Sequence, residues 1–386
     1  MTKKIKLLHI IGSLGVGGCE KQLLGLCRRM DRNLFDTGLL WYAATPDSMI
    51  GEFNKTGIAT FFIDKYAMPK ARFFLNMRRA IQRFAPDIVH TWLPSAGFWG
   101  RTAALSCGIR NIVMSYRVEM RSGILETTPA ARLAEKLLAR RSLILANSRA
   151  IAESLERYFS IPQSRVRIIY NAVELPAADP AAARREIRQE LGLPPYQRIV
   201  LMVARQHKQK NYPLFIKTAA EVCRRRSDVT FVSVGRGDMM DELTGLTEAL
   251  GVRDSVRFVG IRHDVHRWLA AADVFCFTSD YEGFPNAVLE AMLAGVPVAT
   301  TAFPGVEEVV TDRITGCIVP RNDEKAMAHT VETLLDDQAF AQLLAKAARD
   351  ITKERYGWET LLNAMHEVYV SLVQGRHGIE QAGSGT

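Results

Sequence analysis

Two carboxylates, Glu282 and Glu290, lie eight residues apart, one before and one within a predicted helix at residues 286–294. The apolar run at residues 274–277 predicts a buried strand that ends just before them. The first N–H groups of such a helix have no partner inside the helix and can hold an anion. A carboxylate on each side can hold a pair of hydroxyls, so this arrangement suits a sugar linked to a diphosphate. A solvated loop glutamate followed by an ordinary helix-face glutamate would show the same spacing.

A basic loop follows the strand predicted at residues 198–203. It contains three cations and a histidine, with Arg205 and Lys210 at its two ends, before a helix predicted at residues 212–224. A guanidinium forms paired hydrogen bonds to phosphate oxygens, whereas an ammonium acts as a point charge. The loop therefore suits a pyrophosphate, and a solvated basic turn is the alternative.

The N-terminal half contributes a glycine-rich loop and a histidine. Gly17 and Gly18 follow the strand predicted at residues 4–11, where glycine lets the backbone approach a ligand closely. His90 ends the strand predicted at residues 87–90, a position where open α/β sheets bind ligands. A structural loop and a packed histidine are the alternatives, because either residue type at such a position is common without any ligand.

These residues need elements that bring them to the ligand-binding edge of a sheet. Short apolar strands alternate with amphipathic helices along the chain, which predicts the α/β class with parallel doubly wound sheets. The 386 residues are enough for two domains with sizeable cores. The stretch L-P-A-A-D-P at residues 175–180, with its two prolines, predicts a hinge between them.

The charge is unevenly distributed along the chain. The net charge is +9, and residues 1–175 contain 26 Lys and Arg against 13 Asp and Glu. Such a basic half favours an anionic membrane surface, a phosphate-bearing substrate or nucleic acid as a partner, and a merely soluble basic face is the alternative. No apolar run reaches the roughly 18–20 residues of a membrane span. The six cysteines are scattered without a C-x-x-C pair, which predicts reduced thiols in a cytosolic protein.

The segment at residues 65–84 mixes basic and apolar side chains in a helical pattern. A basic amphipathic helix can lie in a membrane interface. Helical spacing equally fits a surface helix that packs onto the sheet. In that second interpretation the packed residues are Phe74, Met77, Ile81 and Phe84, and the outward-facing ones are Arg72, Arg78, Arg79 and Arg83.

Taken together, these motifs resemble the retaining glycosyltransferases of family 4, which have the GT-B architecture. The resemblance includes the runs S-D-Y-E-G-F-P and L-E-A-M-x-A-G-x-P-V, which contain an E-x7-E signature, and the R-x4-K-N segment that begins at Arg205. It implies two Rossmann-like doubly wound domains that face each other across a cleft. The N-terminal acceptor-binding domain would comprise residues 1–175, and the C-terminal nucleotide-sugar-binding domain residues 176–353. A helix at residues 354–374 would cross back to the first domain, before a disordered tail at residues 375–386.

The resemblance also implies roles for single residues. Arg205 and Lys210 would bind the donor phosphates, Glu290 the ribose, and Glu282 the transferred sugar. The implied catalytic residues are Glu282, His90, Arg205 and Lys210. The implied donor-binding residues are Gly17, Gly18, Arg205, Lys210, Arg262, Glu282, Gly283, Phe284, Pro285, Asn286, Ala287 and Glu290. Arg117, which follows another predicted strand end, is the predicted acceptor-binding residue.

The implied activity is that of a hexosyltransferase. It would move a hexose-type sugar, from a UDP-sugar in preference to other donors, to a saccharide or lipid-linked saccharide in cell-envelope or exopolysaccharide synthesis, with retention. No Asp-x-Asp pair is present, and we expect neither a metal nor another cofactor. The expected location is cytoplasmic, either free or peripheral on an anionic membrane surface, and no nucleic-acid partner is expected. A GT-B sugar-nucleotide epimerase, a non-enzymatic basic protein that binds nucleic acid or membrane, and an inactive membrane-bound scaffold are the alternatives.

Overall fold

A computed structural model describes residues 3–118 and 128–375 of the chain. Contacts divide it into two compact units: Met1–Asn171 with Glu359–Thr386, and Ala172–Trp358. The predicted extents of an acceptor-binding domain (residues 1–175), a nucleotide-sugar-binding domain (residues 176–353) and a crossing-back helix (residues 354–374) stay predictions. The predicted tail lies outside the described residues from residue 376 onward.

The first unit is built on a seven-stranded sheet whose described strand pairs are all parallel. Its strands are β1 (Ile5–Ser13), β2 (Phe35–Ala43), β3 (Ala59–Phe62), β4 (Ile88–Trp92), β5 (Ile112–Tyr116), β6 (Leu143–Ala146) and β7 (Val166–Ile168). Their order in the sheet is β3-β2-β1-β4-β5-β6-β7. The chain winds outward in both directions from the central β1–β4 pair, as the doubly wound prediction requires.

Helices alternate with these strands. They are α1 (Gly18–Arg29), α2 (Ile50–Asn54), α3 (Lys70–Phe84), α4 (Pro94–Ser106), α5 (Pro129–Ala139) and α6 (Arg149–Phe159). Every residue of β4 and β5 is buried, as expected for central strands of a parallel sheet covered on both faces. The helix α3 packs onto the sheet through Phe73, Met77, Ile81 and Phe84, so Phe73 takes the fully buried position that the sequence pattern had assigned to Phe74.

The second unit has a six-stranded sheet, again with parallel pairs throughout its described strands. Its strands are β8 (Arg198–Val203), β9 (Val229–Val234), β10 (Val256–Phe258), β11 (Val274–Phe277), β12 (Val298–Thr301) and β13 (Cys317–Val319). The order is β10-β9-β8-β11-β12-β13, so the winding reverses between β8 and β11.

The helices of the second unit cover this sheet. They are α7 (Pro180–Glu190), α8 (Tyr212–Cys223), α9 (Met240–Ala249), α10 (Val265–Ala271), α11 (Asn286–Ala294), α12 (Glu324–Asp336) and α13 (Gln338–Arg355). Side chains of α8 and α12 form one continuous apolar core with β8, β9 and β11. Burial of this kind is the main favourable term in the folding free energy.

The last helix, α14 (Trp358–Val373), packs on the sheet of the first unit. Its buried residues Leu361, Met365, Val368 and Tyr369 have the i, i+4, i+7, i+8 spacing of one helix face. The Tyr369 ring lies 5.8 Å from that of Phe35 at the start of β2. Among the described residues, no helix combines the length and the apolar character that crossing a bilayer requires.

Candidate active site

The candidate site of the second unit lies where the winding of its sheet reverses. Strands β8 and β11 are direct neighbours, with Val200 opposite Val274 and Leu201 opposite Phe275. The connections that leave these two strands diverge to opposite sides of the sheet, which opens a crevice at their carboxyl ends. The basic loop after β8 and the acidic loop after β11 therefore meet at one edge.

Hydrogen bonds join these two loops directly. The Thr278 hydroxyl donates to the carbonyl of Lys210 at 3.0 Å, and the Ser279 hydroxyl donates to the carbonyl of Gln209 at 3.0 Å. The backbone N–H of Asp280 also donates to the Gln209 carbonyl at 2.9 Å. The polar Thr-Ser-Asp run thus satisfies backbone carbonyls of the basic loop, and the two loops form one connected structure.

The joined loops bring two predicted catalytic residues into contact. The Lys210 ammonium forms an ion pair with the Glu282 carboxylate, and the two side chains are only 18% and 8% exposed. The same ammonium lies 5.3 Å from the ring centroid of Phe277, the last residue of β11. Because the pair is electrically neutral as a whole, the exposed side chains of Arg205 and Lys208 supply the net positive charge of this loop.

A third loop supports the basic loop from the neighbouring strand β9. Gly235 and Gly237 follow β9, and a Cβ at either position would overlap a carbonyl oxygen, that of Ala204 or that of Gln206. Gly235 also has a φ of +140°, which side-chain-bearing residues rarely adopt. Only glycine at these positions lets the third loop lie directly against the backbone on both sides of Arg205.

The loop after β10 continues this arrangement. The N–H of Gly235 donates to the Gly260 carbonyl at 2.8 Å, so this loop lies beside the third one. The Arg262 side chain is paired with Glu190 at 2.6 Å and packs over the Trp268 ring at 4.8 Å. These contacts fix the loop and occupy the guanidinium, which leaves the backbone as the part that can meet a ligand.

The start of α11 completes the site. Phe284 is buried against the Tyr356 ring, at 5.8 Å, and Gly283 and Pro285 flank it in the turn. The N–H of Asn286 donates to the Phe284 carbonyl, and the N–H of Val288 donates to the Pro285 carbonyl, both at 3.0 Å. The first three N–H groups of the helix, those of Asn286, Ala287 and Val288, are the ones expected to bind an anion, and these two of them are therefore engaged.

Ala287 has no backbone acceptor among the described residues, so its N–H is the one of the three that can donate to an anion. Glu290 is the fifth residue of α11 and is partly exposed, while Glu282 in the loop is 7% exposed. The two carboxylates of the spacing pattern therefore lie on different elements, one in the loop and one on the helix.

The glycine loop of the first unit leads directly into α1. Gly17 is the residue before the helix, and Gly18 is its first residue. The Glu20 side chain folds back so far that a Cβ at Gly17 would overlap its carboxylate. Burial raises the pKa of the Glu20 carboxyl.

The structure places His90, whose catalytic role stays a prediction, in a packed position. The side chain is fully buried, with Nδ1 2.8 Å from the Tyr369 hydroxyl and Nε2 2.8 Å from the Ser115 hydroxyl. Its ring stacks on that of Trp92, with centroids 4.4 Å apart. Burial first, then the charges of His9 and Arg117, lower the pKa of His90 well below its usual value. Both ring nitrogens hold α14 and β5 in place, so neither is available to a substrate.

Arg117 is also a packed residue. It is 9% exposed, its guanidinium donates to the Asn171 side-chain oxygen, and it lies 4.8 Å from the Trp92 ring. Burial lowers the pKa of Arg117. An acceptor could reach this guanidinium only after the surrounding side chains moved, so its predicted acceptor-binding role has no support in this geometry.

Comparisons with known proteins give one match to each unit. The sequence model for "Glycosyltransferase Family 4" matches residues 16–176, and the model for "Glycosyl transferases group 1" matches residues 183–351. The structure of Anabaena HepE in complex with UDP and glucose superposes with a TM-score of 0.85 at 21% identity, covering 95% of this chain and all of that one. The chain belongs to the GT-B glycosyltransferases of the family-4 type.

Two curated glycosyltransferases illustrate the range of relatives. An Escherichia coli UDP-Gal:α-D-GlcNAc-diphosphoundecaprenol α-1,3-galactosyltransferase is 22% identical over 96% of this chain and 98% of its own length. A Campylobacter jejuni N-acetylgalactosaminyltransferase, which acts on an N-acetylgalactosamine-N,N'-diacetylbacillosaminyl-diphospho-undecaprenol, is 30% identical over 57% of this chain and 56% of its own length. In four curated relatives the matched region covers less than two thirds of the relative's own length, at 59%, 60%, 56% and 64%.

Sequence reasoning missed some residues that shape this glycosyltransferase site. For Gly235 and Gly237 the sequence offers one signal, which is two glycines one residue apart directly after a strand. Gln206 is 1% exposed, and its Oε1 has no hydrogen-bond partner within the described part of the chain. A buried acceptor without a partner is costly, and a ligand N–H or O–H would satisfy it. Nothing in the local sequence distinguishes Gln206 from a solvated loop residue.

Proposed function

We propose that this GT-B protein is a metal-independent, retaining hexosyltransferase that uses a UDP-sugar. The observation that supports this best is one loop that carries both the exposed Arg205 and the mostly buried Lys210–Glu282 ion pair, at the point where the sheet reverses. Breaking the bond between the sugar and the diphosphate leaves an electron pair and negative charge on the diphosphate. Arg205, Lys210 and the start of α11 would stabilise that charge in place of a divalent cation.

Each remaining site residue has a part in this mechanism. Glu290 would hold the ribose hydroxyls, and Glu282, with its carboxylate fixed by Lys210, would orient the hexose and stabilise positive charge on its ring. The backbone around Arg262 would meet the base, while Phe284 and its turn shape the site. In the retaining course, the acceptor hydroxyl attacks on the face from which the diphosphate departs and passes its proton to the diphosphate oxygen.

We further propose a lipid-linked saccharide as acceptor, in cell-envelope or exopolysaccharide synthesis. The names of two relatives support this, because both act on saccharides carried by diphosphoundecaprenol. The HepE complexes with UDP and with UDP and glucose support UDP as the nucleotide of the donor. The basic residues 1–175 support work beside an anionic membrane on the cytoplasmic side.

A transfer screen tests the proposal. The purified full chain is incubated with UDP-hexoses and UDP-N-acetylhexosamines, with and without a short-chain polyprenyl-diphosphate saccharide, in EDTA. The expected result is one sugar added to the acceptor, seen by mass spectrometry, with the α-anomer seen by NMR. Arg205→Ala should lower the transfer rate at least tenfold, and the largest loss of transition-state stabilisation that we expect is about 3–4 kcal/mol. The exposed control Arg185→Ala should leave the rate unchanged.

Other outcomes decide between the alternatives. Epimerised nucleotide-sugar in the absence of acceptor would indicate an epimerase. Salt-sensitive binding of oligonucleotides, without binding of any nucleotide-sugar, would indicate a nucleic-acid-binding protein. Transfer that ceases in EDTA and returns with Mg²⁺ would refute metal independence. Vesicle binding without any nucleotide-sugar binding would indicate an inactive scaffold.

A further inference from the structure

A lysine enclosed by three aromatic rings lies in the first unit, outside the site described above. The Lys65 ammonium is 5.5 Å from the ring centroid of Tyr42 and 5.7 Å from those of Tyr66 and Trp99. We call these four residues the lysine–aromatic cluster. The Tyr66 side chain is 77% exposed, the largest exposed fraction among the large apolar side chains that the structure describes.

The ammonium of this cluster is available to an anion. No carboxylate pairs with Lys65 in the part of the chain that the structure describes, whereas the neighbouring Asp64 accepts hydrogen bonds from the backbone N–H groups of Tyr66 and Ala67. Partial burial, with a smaller contribution from the charge of Lys70, lowers the pKa of Lys65. Ring faces attract an ammonium but leave its N–H groups able to donate to phosphate oxygens.

The cluster lies at the carboxyl end of the sheet, next to the glycine-rich loop. Tyr42 is near the end of β2, and its backbone carbonyl accepts the N–H of Lys65 at 3.0 Å. Its hydroxyl donates to Ser95, in the first turn of α4, at 2.8 Å. A Cβ at Gly12, the last but one residue of β1, would lie 3.5 Å from that hydroxyl. The cluster therefore shares the ligand-binding edge of the first sheet with the loop that contains Gly17.

We propose that the lysine–aromatic cluster binds the acceptor through a glycosyl phosphate. The exposed Tyr66 ring and the partly exposed Trp99 ring pack against the C–H face of a sugar, and the Lys65 ammonium pairs with the phosphate attached to it. The aromatic rings and the ammonium of the cluster are adjacent to each other. The sugar and the phosphate of such an acceptor are adjacent in the same way. This assignment rests on the proposed glycosyl transfer and names the chemistry of its acceptor.

Binding of N-acetylglucosamine 1-phosphate tests the assignment, with saturating UDP present so that the phosphate-binding loop of the second unit is occupied. Ligand-observed NMR follows the full chain and the variants Tyr66→Ala and Lys65→Met. Tyr66→Ala should weaken binding of both N-acetylglucosamine 1-phosphate and N-acetylglucosamine about fivefold or more. Lys65→Met should weaken only the phosphate form by about that factor. Tyr196→Ala, which removes a tyrosine 71% exposed in the second unit, is the matched control and should change neither.

Three results would overturn the assignment. The first is that Tyr66→Ala binds the probes as tightly as the full chain does, and the second is that the Tyr196→Ala control loses as much affinity as Tyr66→Ala. The third is that Lys65→Met loses the same affinity for both probes. A Tyr66→Ala variant that loses binding to phosphatidylglycerol vesicles but keeps the sugar phosphate would assign the cluster to the membrane instead. A calorimetric titration with UDP as the sole ligand tests the proposed function separately. If UDP fails to bind while the sugar phosphate binds, the proposed donor is wrong and the cluster assignment stands.

Discussion

At the scale of single residues, the account depends on how charge is distributed around the Lys210–Glu282 pair. Both side chains are mostly buried, so each charge has lost much of its hydration and relies on the other for compensation. Arg205 is exposed, so its guanidinium can meet an arriving diphosphate without first breaking the ion pair. We therefore separate two roles: Arg205 for attraction of the donor, and the ion pair for its orientation.

Removing both charges of the pair should destabilise the second unit by less than the two single removals added together. Glu282→Gln leaves the Lys210 ammonium buried without compensation, and Lys210→Met does the same to the Glu282 carboxylate. Each single variant should lose about 3 kcal/mol of unfolding free energy, and the double variant clearly less than the sum. Chemical denaturation of the three variants measures this. Additive losses would show that the two charges do not interact in solution.

At this scale, the sequence was sufficient to place residues at the site edge when they were charged and followed the end of a predicted strand. Arg205, Lys210 and Glu282 follow β8 and β11, and the structure brings their loops to one edge, although their roles in catalysis stay predictions. The sequence did not reveal the surroundings of His90, because a strand end does not show what covers it. The covering residue, Tyr369, lies 279 positions away, and no local pattern could have paired the two.

At the scale of elements, the site consists of loops from neighbouring strands held at fixed distances by backbone contacts. The β9 loop lies against the basic loop only because Gly235 and Gly237 have no side chain. Any Cβ there must push the two backbones apart, and backbone cannot yield as a flexible side chain can. Small displacements of this kind are costly in catalysis, since the reacting groups must keep their geometry.

Gly237→Ala should therefore weaken UDP binding by about tenfold or more, measured by isothermal titration calorimetry, because the Gln206 carbonyl would be displaced beside Arg205. Gly245→Ala is the matched control. It lies within α9 with no atom near its absent Cβ, and should leave UDP binding unchanged while stabilising the unit by about 0.5–1 kcal/mol. UDP affinity unaltered in Gly237→Ala would show that this contact does not position the basic loop.

The packing of α14 on β1 and β4 gives a prediction about acid. His9 and His90 are buried there as neutral rings, and burial lowers the pKa of His9 from its usual 6.5 to about 3. Between these values the unfolded chain binds a proton that the folded chain does not. The stabilisation is thus fully present above pH 6.5 and is lost as the pH falls, by about 2 kcal/mol for His9 at pH 5, and His90 adds a loss in the same direction.

Hydrogen exchange measures this effect strand by strand. Amides of β1 and β4 should lose protection between pH 7 and pH 5, after correction for the intrinsic exchange rate. Those of β8 and β11, which contain no histidine, should lose less. Equal loss in both sheets would indicate a global effect of acid, and the buried histidines would then not be its cause.

At the scale of the whole molecule, the chain combines a basic N-terminal half with a nearly balanced remainder. On α3, the exposed Arg72, Arg79 and Arg83 form one stripe with Leu75, whose side chain is 47% exposed. Cations of this kind near an anionic bilayer contribute about 1 kcal/mol each, and added salt screens them. An apolar side chain among them can enter the interface.

Binding to phosphatidylglycerol vesicles should therefore fall by at least about tenfold when the three arginines of this stripe become glutamine. It should also weaken as salt increases, in a sedimentation assay. The charge-matched control replaces three exposed cations of the second unit: Arg185, Lys217 and Lys346. If the full chain ignores these vesicles at low salt, the membrane proposal is wrong.

The architecture could be predicted from strand–helix alternation and the motif resemblance, and the two doubly wound sheets confirm the predicted GT-B fold class. The order of strands was not readable, because periodicity reports which faces are buried and not which strands are neighbours. Nor did local pattern reveal that α14 completes the first unit, since its buried face resembles that of any amphipathic helix.

We propose above that Arg205 and Lys210 hold the donor diphosphate at the β8–β11 edge without a metal. A crystal structure of the full chain with a bound UDP-hexose, grown in EDTA, tests it most directly. We predict diphosphate oxygens within about 3 Å of the Arg205 guanidinium and the Lys210 ammonium, and a ribose hydroxyl on Glu290. Phosphorus atoms lying about 10 Å or more from both cations, or a metal ion required for occupancy, would contradict the account.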